Sequence, residues 1–169
     1  YKAVVEENCP EAEIVYDKFH VKKNLNDVVD QVRRLEWHLA EAEDKKVIKG
    51  QRYNLLRAPD NNTKDQQRSL WCLLNLNENL NTTYVLREAF DKVWSFEYRG
   101  SAEKYLEQWK EWALDTGIKP LMRFANSIWK GKDHVTAYAD WPFTTSRLEC
   151  LNGMIERLLR RSCGIRDLQ

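Results

Sequence analysis

Two short segments near opposite ends of the chain carry acidic residues that could take part in metal-dependent chemistry. Asp17 follows the apolar run Ile14-Val15-Tyr16, and Glu149 lies in the first turn of a predicted helix whose end is rich in arginine. Carboxylates from distant parts of a chain are what a metal-dependent phosphoryl-transfer site needs, because its cations must stabilise both the attacking and the leaving oxygen. Whether these two side chains meet in space therefore decides the chemistry.

Each carboxylate also has a purely structural interpretation. Asp17 could cap the helix that follows it, since Asp is a favoured N-cap residue. Glu149 could be a first-turn acid that the helix dipole favours. Capping and metal binding do not exclude each other, so the two residues alone leave both interpretations open.

The overall composition is that of an ordinary globular protein. Apolar residues make up 43% and charged residues 31% of the 169 residues, enough for one domain or for a core with an insertion. The mean hydropathy is −0.70, and no apolar run approaches the roughly 18 residues of a membrane span. Because the formal net charge is only +1, any signal for DNA binding has to be local.

Cysteine usage gives no sign of a metal site. The cysteines share no C-x-x-C pair and no spacing typical of zinc ligands. We therefore expect scattered reduced thiols, as in a cytosolic protein. They are Cys9, Cys72, Cys150 and Cys163.

The N-terminal part predicts a helix, a strand and a second helix. The residues before Pro10 are typical of a helix end, and residues 13–16 predict a short strand because they are β-branched and aromatic. Apolar residues then recur at helical spacing and predict a helix over residues 18–43. This order is typical of an α/β layer that begins upstream.

The middle of the chain, residues 46–130, predicts an all-α bundle of four amphipathic helices. Thr63 opens a capping-box pattern, Gly100 separates the second helix from the third, Gly117 ends the third, and Pro120 opens the fourth. The bundle is rich in tryptophan. These rings could be stacking platforms for bases, but most of them fit the apolar stripes, which favours core packing.

The C-terminal part predicts a loop followed by a helix. Residues 131–143 predict a loop or extended segment, and a helix resumes from Ser146. The spacing gives this helix an apolar face with a polar stripe beside it. The apolar face consists of Leu148, Leu151, Ile155, Leu158 and Leu159, and the stripe of Glu149, Asn152, Glu156 and Arg160.

Two motifs in this sequence resemble those of a known family. The string DKFHV at residues 17–21, with a helix holding Arg33-Arg34 after it, resembles the second-aspartate motif of bacterial insertion-sequence transposases of the DDE class. The string SRLECLN at residues 146–152 resembles the glutamate motif of the same group, although Cys150 stands where a small residue, typically Gly, is expected. The resemblance covers essentially the whole chain in order.

The resemblance implies a mostly α fold: part of a ribonuclease H-like α/β core with an inserted all-α helical bundle. Residues 1–45 and 131–169 would belong to the core, and residues 46–130 would form the insertion. The first aspartate of the family is expected on a strand upstream of Tyr1. The chain would then be a C-terminal fragment that is inactive by itself.

The resemblance also implies a metal site and its ligands. Asp17 and Glu149 would be the second and third acidic ligands of two divalent cations, usually Mg²⁺, which prefers hard oxygen ligands. One cation would activate water or a DNA 3′-hydroxyl, and the other would stabilise the leaving oxygen. His20 and Asn152 are candidates for supporting roles, each with an equally good structural interpretation.

An arginine-rich tail follows the glutamate motif. It is either a solvated helix end or a surface for DNA phosphates, which arginine recognises with two parallel hydrogen bonds. Its members are Arg157, Arg160, Arg161 and Arg166.

The function that the resemblance implies is DNA cleavage and strand transfer during insertion-sequence transposition. The expected partners are the element ends and the target DNA, with a homodimer or larger assembly and no membrane. The expected location is the cytoplasm, in association with the nucleoid. Two alternatives stay open: a non-catalytic helical binding or interaction module, and a degenerate transposase remnant.

Overall fold

The computed structural model describes residues 2–143 and 146–161, without the side chains of residues 2, 3, 6, 59 and 146–149. The described residues form ten α-helices and three short 3-10 helices. The α-helices are α1 Lys2–Asn8, α2 Lys18–Leu39, α3 Ala42–Ile48, α4 Arg52–Leu56, α5 Lys64–Leu76, α6 Glu78–Phe90, α7 Arg99–Asp115, α8 Lys119–Lys130, α9 Lys132–Thr136 and α10 Ser146–Arg161. The 3-10 helices are Pro59–Asn61, Asp91–Ser95 and Ala137–Ala139.

Helix α2 is the central helix of the fold. It buries Val21, Leu25 and Val28 in one core cluster, and Val29 and Val32 in a second. Each extra turn that faces a partner adds buried apolar area and so stabilises the helix. Because α2 contributes to both clusters, it joins the two ends of the bundle.

The sequence predicted that this helix continues to Glu43, but α2 ends at Leu39. Leu39 belongs to the predicted stripe and yet is 80% exposed, so burial no longer holds the last turn. Ala40 is extended, and its amide donates to the carbonyl of Glu36. A separate helix, α3, then begins at Ala42.

Three of the predicted capping and turn signals of the middle region are confirmed, whereas Gly100, predicted to separate two helices, is the second residue of α7. The Thr63 hydroxyl accepts from the amide of Gln66, whose side chain accepts from the amide of Thr63, which completes a capping box. Gly117 has a φ of 68° after α7, a conformation that favours glycine. Pro120 stands in the first turn of α8.

The first core cluster fills the space between α2, α6, α7 and α8. Trp109 is fully buried there, and its indole N–H donates to the Leu86 carbonyl at 2.8 Å. The rings of Phe90 and Trp109 meet edge to face with centroids 4.8 Å apart, a preferred aromatic arrangement. Core packing is thus confirmed for Trp94 and Trp109, whereas Trp71 lies on the surface.

The segment 131–143, predicted as a loop, contains a helix. Helix α9 covers Lys132–Thr136 and a 3-10 turn covers Ala137–Ala139. Val135 and Ala137 are fully buried, so the packing of two small apolar residues outweighs the polar composition of the segment. The prediction of a loop was therefore wrong for this part of the chain.

Residues 13–16, predicted as a strand, belong to no helix, and none of the described residues forms a β-ladder. Its backbone instead bonds to α9: the Tyr16 amide donates to the His134 carbonyl at 2.9 Å. A strand needs a neighbouring strand to pair its amides and carbonyls, and here a short helix takes that place. None of the described helices has the length and apolarity that crossing a bilayer would require.

Candidate active site

Asp17 is the N-cap residue of α2. Its Oδ1 accepts a hydrogen bond from the Phe19 amide at 2.7 Å, and its side chain is only 9% exposed. The structural interpretation of this residue is therefore confirmed. A carboxylate at this point also lies at the positive end of the helix dipole, which favours an anion there.

The second oxygen of Asp17 faces the ring of His20. Nδ1 of His20 lies 3.5 Å from Oδ2 of Asp17, and the His20 side chain is largely exposed. The cap thus uses Oδ1, whereas Oδ2 is the oxygen next to the His20 ring.

The peptide just before Asp17 is clamped by α9. The Tyr16 amide donates to the backbone carbonyl of His134, and Nδ1 of His134 lies 3.1 Å from the carbonyl oxygen of Ile14. The rings of Tyr16 and His134 also pack together, with centroids 5.1 Å apart. Two backbone groups and one ring therefore fix the approach of the chain to Asp17.

Gly131, at the start of α9, lies against the Tyr16 ring. A Cβ at this position would stand 2.8 Å from Cε2 of Tyr16, closer than side chains pack. Absence of a side chain at Gly131 is thus what lets the Tyr16 ring lie over the start of α9.

A second set of contacts holds Glu13, four residues before Asp17. One carboxylate oxygen of Glu13 pairs with the Arg99 guanidinium, and the other accepts from the Trp141 indole N–H at 3.0 Å. Arg99 also donates to the Asp133 carbonyl at 3.0 Å. Because both of its oxygens are engaged, Glu13 acts in the structure as an anchor for the segment rather than as a metal ligand.

Glu149 is the fourth residue of α10, and its side chain lies outside the described residues. The meeting of the Asp17 and Glu149 carboxylates therefore stays a prediction. Asn152, one turn further along α10, is exposed.

The basic tail falls partly on α10. Arg157 donates from Nε to the Gly153 carbonyl at 3.0 Å, and a nitrogen of Arg160 lies 3.8 Å from a carboxylate oxygen of Glu156. Arg161 is the exposed last residue of the helix. Arg166 lies outside the described residues.

Carboxylate oxygens suit a hard divalent cation, so the chemistry of Asp17 fits the expected metal. Among the residues that the structure describes, no three His, Cys, Asp or Glu side chains form a group that could hold an ion. Three of the cysteines, Cys9, Cys72 and Cys150, are free and exposed, and Cys163 lies outside the described residues.

The residues that hold the segment before Asp17 could not be predicted from the sequence. His134, Arg99 and Gly131 carry no motif, and each contacts a segment more than 80 positions away. The only local signal was the polar character of residues 131–143, which by itself predicts a loop. Contacts between such distant positions are decided by tertiary packing, so the sequence pattern could not identify them.

Comparison with known proteins shows the family of this chain. The sequence pattern of a family described as Transposase, of the DDE ISL3 type, matches residues 1–169. The chain therefore belongs to this transposase family. No solved structure matches it.

Individual relatives carry the same name. The transposase of insertion sequence IS1001 from Bordetella parapertussis is 35% identical over 171 residues, which cover 99% of this chain and 42% of that protein. The transposase of IS1557 from two strains of Mycobacterium tuberculosis is 27% identical over 190 residues, which cover 98% of this chain and 42% of that protein. The chain thus spans about two fifths of the length of these relatives.

Proposed function

We propose that this protein is a DDE transposase that cuts and joins DNA strands during insertion-sequence transposition. Membership of the family across the whole chain supports this function. The structural observation that carries it is Asp17, a nearly buried carboxylate at a helix start, on a segment that α9 and Arg99 hold in place. A carboxylate needed only as a cap would not require such an elaborate support, since capping is satisfied locally.

Asp17 and Glu149 are the proposed ligands of two divalent cations, with Mg²⁺ as the natural choice. When bound, these cations supply activation of the attacking hydroxyl and stabilisation of the leaving oxygen. Asp17 contributes a rigid oxygen, because its other oxygen is held by the Phe19 amide. His20, whose Nδ1 lies 3.5 Å from Oδ2 of Asp17, orients the carboxylate, and Asn152 contacts the phosphate next to Glu149.

The proposed fold of the complete site is ribonuclease H-like. Residues 1–45 and 131–169 would form part of that core, with residues 46–130 as the helical insertion. The apolar side of α10 supports this proposal, because its described members are 45–64% exposed, as expected for a helix that packs against a sheet in the remaining length that the relatives have. They are Leu151, Met154, Ile155, Leu158 and Leu159.

The remaining parts of the proposal concern partners and location. The substrates are the element ends and the target DNA, and the active assembly is a homodimer or larger because transposition joins two ends. The arginines that follow Glu149 contact DNA phosphates: Arg157, Arg160, Arg161 and Arg166. The enzyme acts in the cytoplasm at the nucleoid.

Two substitutions test the proposed ligands. Asp17→Asn keeps the helix cap, because Asn caps as well as Asp, but removes the charge that a cation needs. Glu149→Gln removes the second charge in the same way. We expect each to lower Mg²⁺-dependent cleavage and strand transfer at least about a hundredfold, or ~2.7 kcal/mol in the barrier, with an unchanged melting temperature.

The matched controls are two exposed acids outside the proposed site. Asp65→Asn alters an aspartate at the start of α5 whose side chain is 94% exposed, and Glu156→Gln alters a glutamate on the same helix as Glu149. Both controls should retain wild-type activity in the protein at its full encoded length. Full activity of Asp17→Asn and Glu149→Gln would show that Asp17 is only a cap and would overturn the proposal.

A further inference from the structure

A groove with basic walls runs between α2 and α8, away from Asp17 at the start of α2. Its walls contain two arginines and a histidine but no carboxylate. They are Gln31, Arg34, Leu35 and His38 from α2, and Pro120 and Arg123 from α8. We call this surface the basic groove.

Neighbouring depressions extend the basic groove on both sides. Arg34 and His38 also line a depression with Arg33 and Lys49, and Arg123 lines another with Lys119. The only carboxylate in these walls is Asp27, where a further depression continues along α2. In a chain of net charge +1, five Lys and Arg residues against one Asp is a marked local excess.

An ion cluster around the buried Asp30, beside the groove, has more positive than negative charge. Asp30, whose side chain is 11% exposed, lies 2.8 Å from Arg33, 3.3 Å from Arg34 and 3.6 Å from Arg52. One carboxylate cannot neutralise three guanidinium groups, so the cluster keeps two positive charges. Since a guanidinium has five N–H donors, Arg34 can bond to Asp30 and still donate into the groove.

Other cations of the groove lack the partners that cations have elsewhere in the fold. Arg123, Lys119 and Lys49 make no ion pair with any described residue, whereas Lys22 pairs with Asp91 and Lys132 with Glu103. Unneutralised cations around a concave surface raise the local positive potential. The groove is therefore suited to an extended anion rather than to an apolar segment.

We propose that the basic groove binds the phosphate backbone of duplex DNA, outside the cleavage site. This inference rests on the proposed function, which makes DNA the substrate. Arg34 and His38 are one helical turn apart, about 6 Å along α2, and Arg123 faces them from α8, so an extended row of phosphates meets several donors. Such contacts hold and orient the duplex and read no sequence.

The test measures binding of the purified protein to a labelled duplex of random sequence by fluorescence anisotropy over a series of salt concentrations. The variants are Arg34→Gln, Arg123→Gln and the double variant. We expect each single variant to weaken binding roughly 3–10-fold near 0.1 M salt and to reduce the slope of log K against log salt by about one. The double variant should reduce this slope by about two.

The control is a double variant with the same charge change outside the groove, Lys64→Gln with Arg68→Gln on the exposed side of α5. It should bind as the wild type does. Arg34 pairs with Asp30, so its loss could also weaken the fold; Arg123 has no such partner, and its variant isolates the DNA contact. Wild-type affinity and slope in Arg123→Gln and in the double variant would overturn the proposal.

Two further features of the experiment distinguish DNA from an acidic peptide as the occupant and separate a failure of the groove proposal from a failure of the proposed function. Polyglutamate is titrated as an acidic-peptide probe, and a loss confined to that probe would overturn DNA as the occupant. The DNA titrations contain EDTA, so they measure binding that does not depend on the proposed metal site. Unchanged cleavage by Asp17→Asn would therefore contradict the proposed function, whereas unchanged binding by Arg123→Gln would contradict only the groove.

Discussion

The body of the molecule, which carries Asp17, and helix α10, which carries Glu149, differ in how far their described apolar side chains are buried. Residues from α2 to α9 share two buried clusters, and the segment before Asp17 is bonded to α9 and to Arg99. On α10, by contrast, the apolar residues that the structure describes are about half exposed. One half of the candidate site is thus fixed by packing, and the other half sits on a helix with an uncovered apolar side.

This difference shows that a motif can be recognisable in the sequence whether or not the surrounding helix is packed against the body of the molecule. The two motifs are equally recognisable in the sequence, but the Asp17 motif is surrounded by contacts, whereas Leu151 and Asn152 of the second motif are exposed. Apolar surface stabilises a fold only where it is removed from water. The body should therefore respond strongly to changes in packing, and α10 weakly.

The largest expected effect is the difference in the free energy of unfolding between two leucine substitutions. Leu106 on α7 is 1% exposed and Leu158 on α10 is 64% exposed. Leu106→Ala should lower the free energy of unfolding by about 2–5 kcal/mol, because it leaves a cavity, and Leu158→Ala by less than about 0.5 kcal/mol. Urea denaturation of both variants measures this. A similar cost at Leu158 would mean that the apolar side of α10 is covered in solution.

Two glycines give the next largest contrast. In Gly131→Ala the new Cβ would meet the Tyr16 ring at 2.8 Å, and the forced displacement should cost about 1–3 kcal/mol. Gly153 lies within α10 with nothing within 4 Å of its ideal Cβ, so Gly153→Ala should stabilise by up to about 1 kcal/mol. Thermal unfolding of the pair tests both signs, and a neutral Gly131→Ala would show that the clamp at Tyr16 is loose.

A smaller effect is expected at His134. His134→Ala removes the ring contact with Tyr16 and the bond to the Ile14 carbonyl, which together should be worth about 1–2 kcal/mol. Amide hydrogen exchange at residues 14–17 should become faster, while exchange in α10 stays the same. Unchanged exchange at residues 14–17 would show that the other contacts hold this segment without the ring.

The smallest expected effect depends on pH. Burial raises the pKa of the Glu88 carboxyl above its ordinary value of 4.5, although Arg87 beside it acts in the opposite direction. A raised pKa in the folded state gives stability that is present below pH 4.5 and is lost as the pH rises through the folded pKa. The Glu88→Gln variant has no carboxyl group at this position, so it does not lose this stability as the pH rises.

Glu88→Gln should therefore gain stability relative to the wild type between about pH 4 and pH 7. The gain should stay below about 0.5 kcal/mol, because the carboxylate is partly exposed and screened. Urea denaturation at about pH 4 and about pH 7 measures this gain in stability, with Glu156→Gln on α10 as the comparison. A variant that loses stability over this range would show that the ion pair with Arg87 outweighs burial.

The helices of the body could be predicted wherever local signals agree with packing. The Thr63 capping box, the turn at Gly117 and the start at Pro120 are all where the spacing placed them, because caps and turns are decided by neighbouring residues. The last turn of the first long helix was overpredicted, since Leu39 fits the stripe but has no partner to bury it. The short helix α9 was missed for the opposite reason, because distant contacts stabilise it.

For the candidate site, the sequence by itself determined the family, the two motifs and the capping capacity of Asp17, because residue types at fixed spacing specify these locally. Only the tertiary structure decided that His134 clamps the approach to Asp17, that residues 13–16 bond to a helix, and that arginines of α2 and α8 share one groove. The physical reason is that these contacts join positions far apart in the chain. Their partners depend on how α2, α8 and α9 pack, and no local pattern encodes that packing.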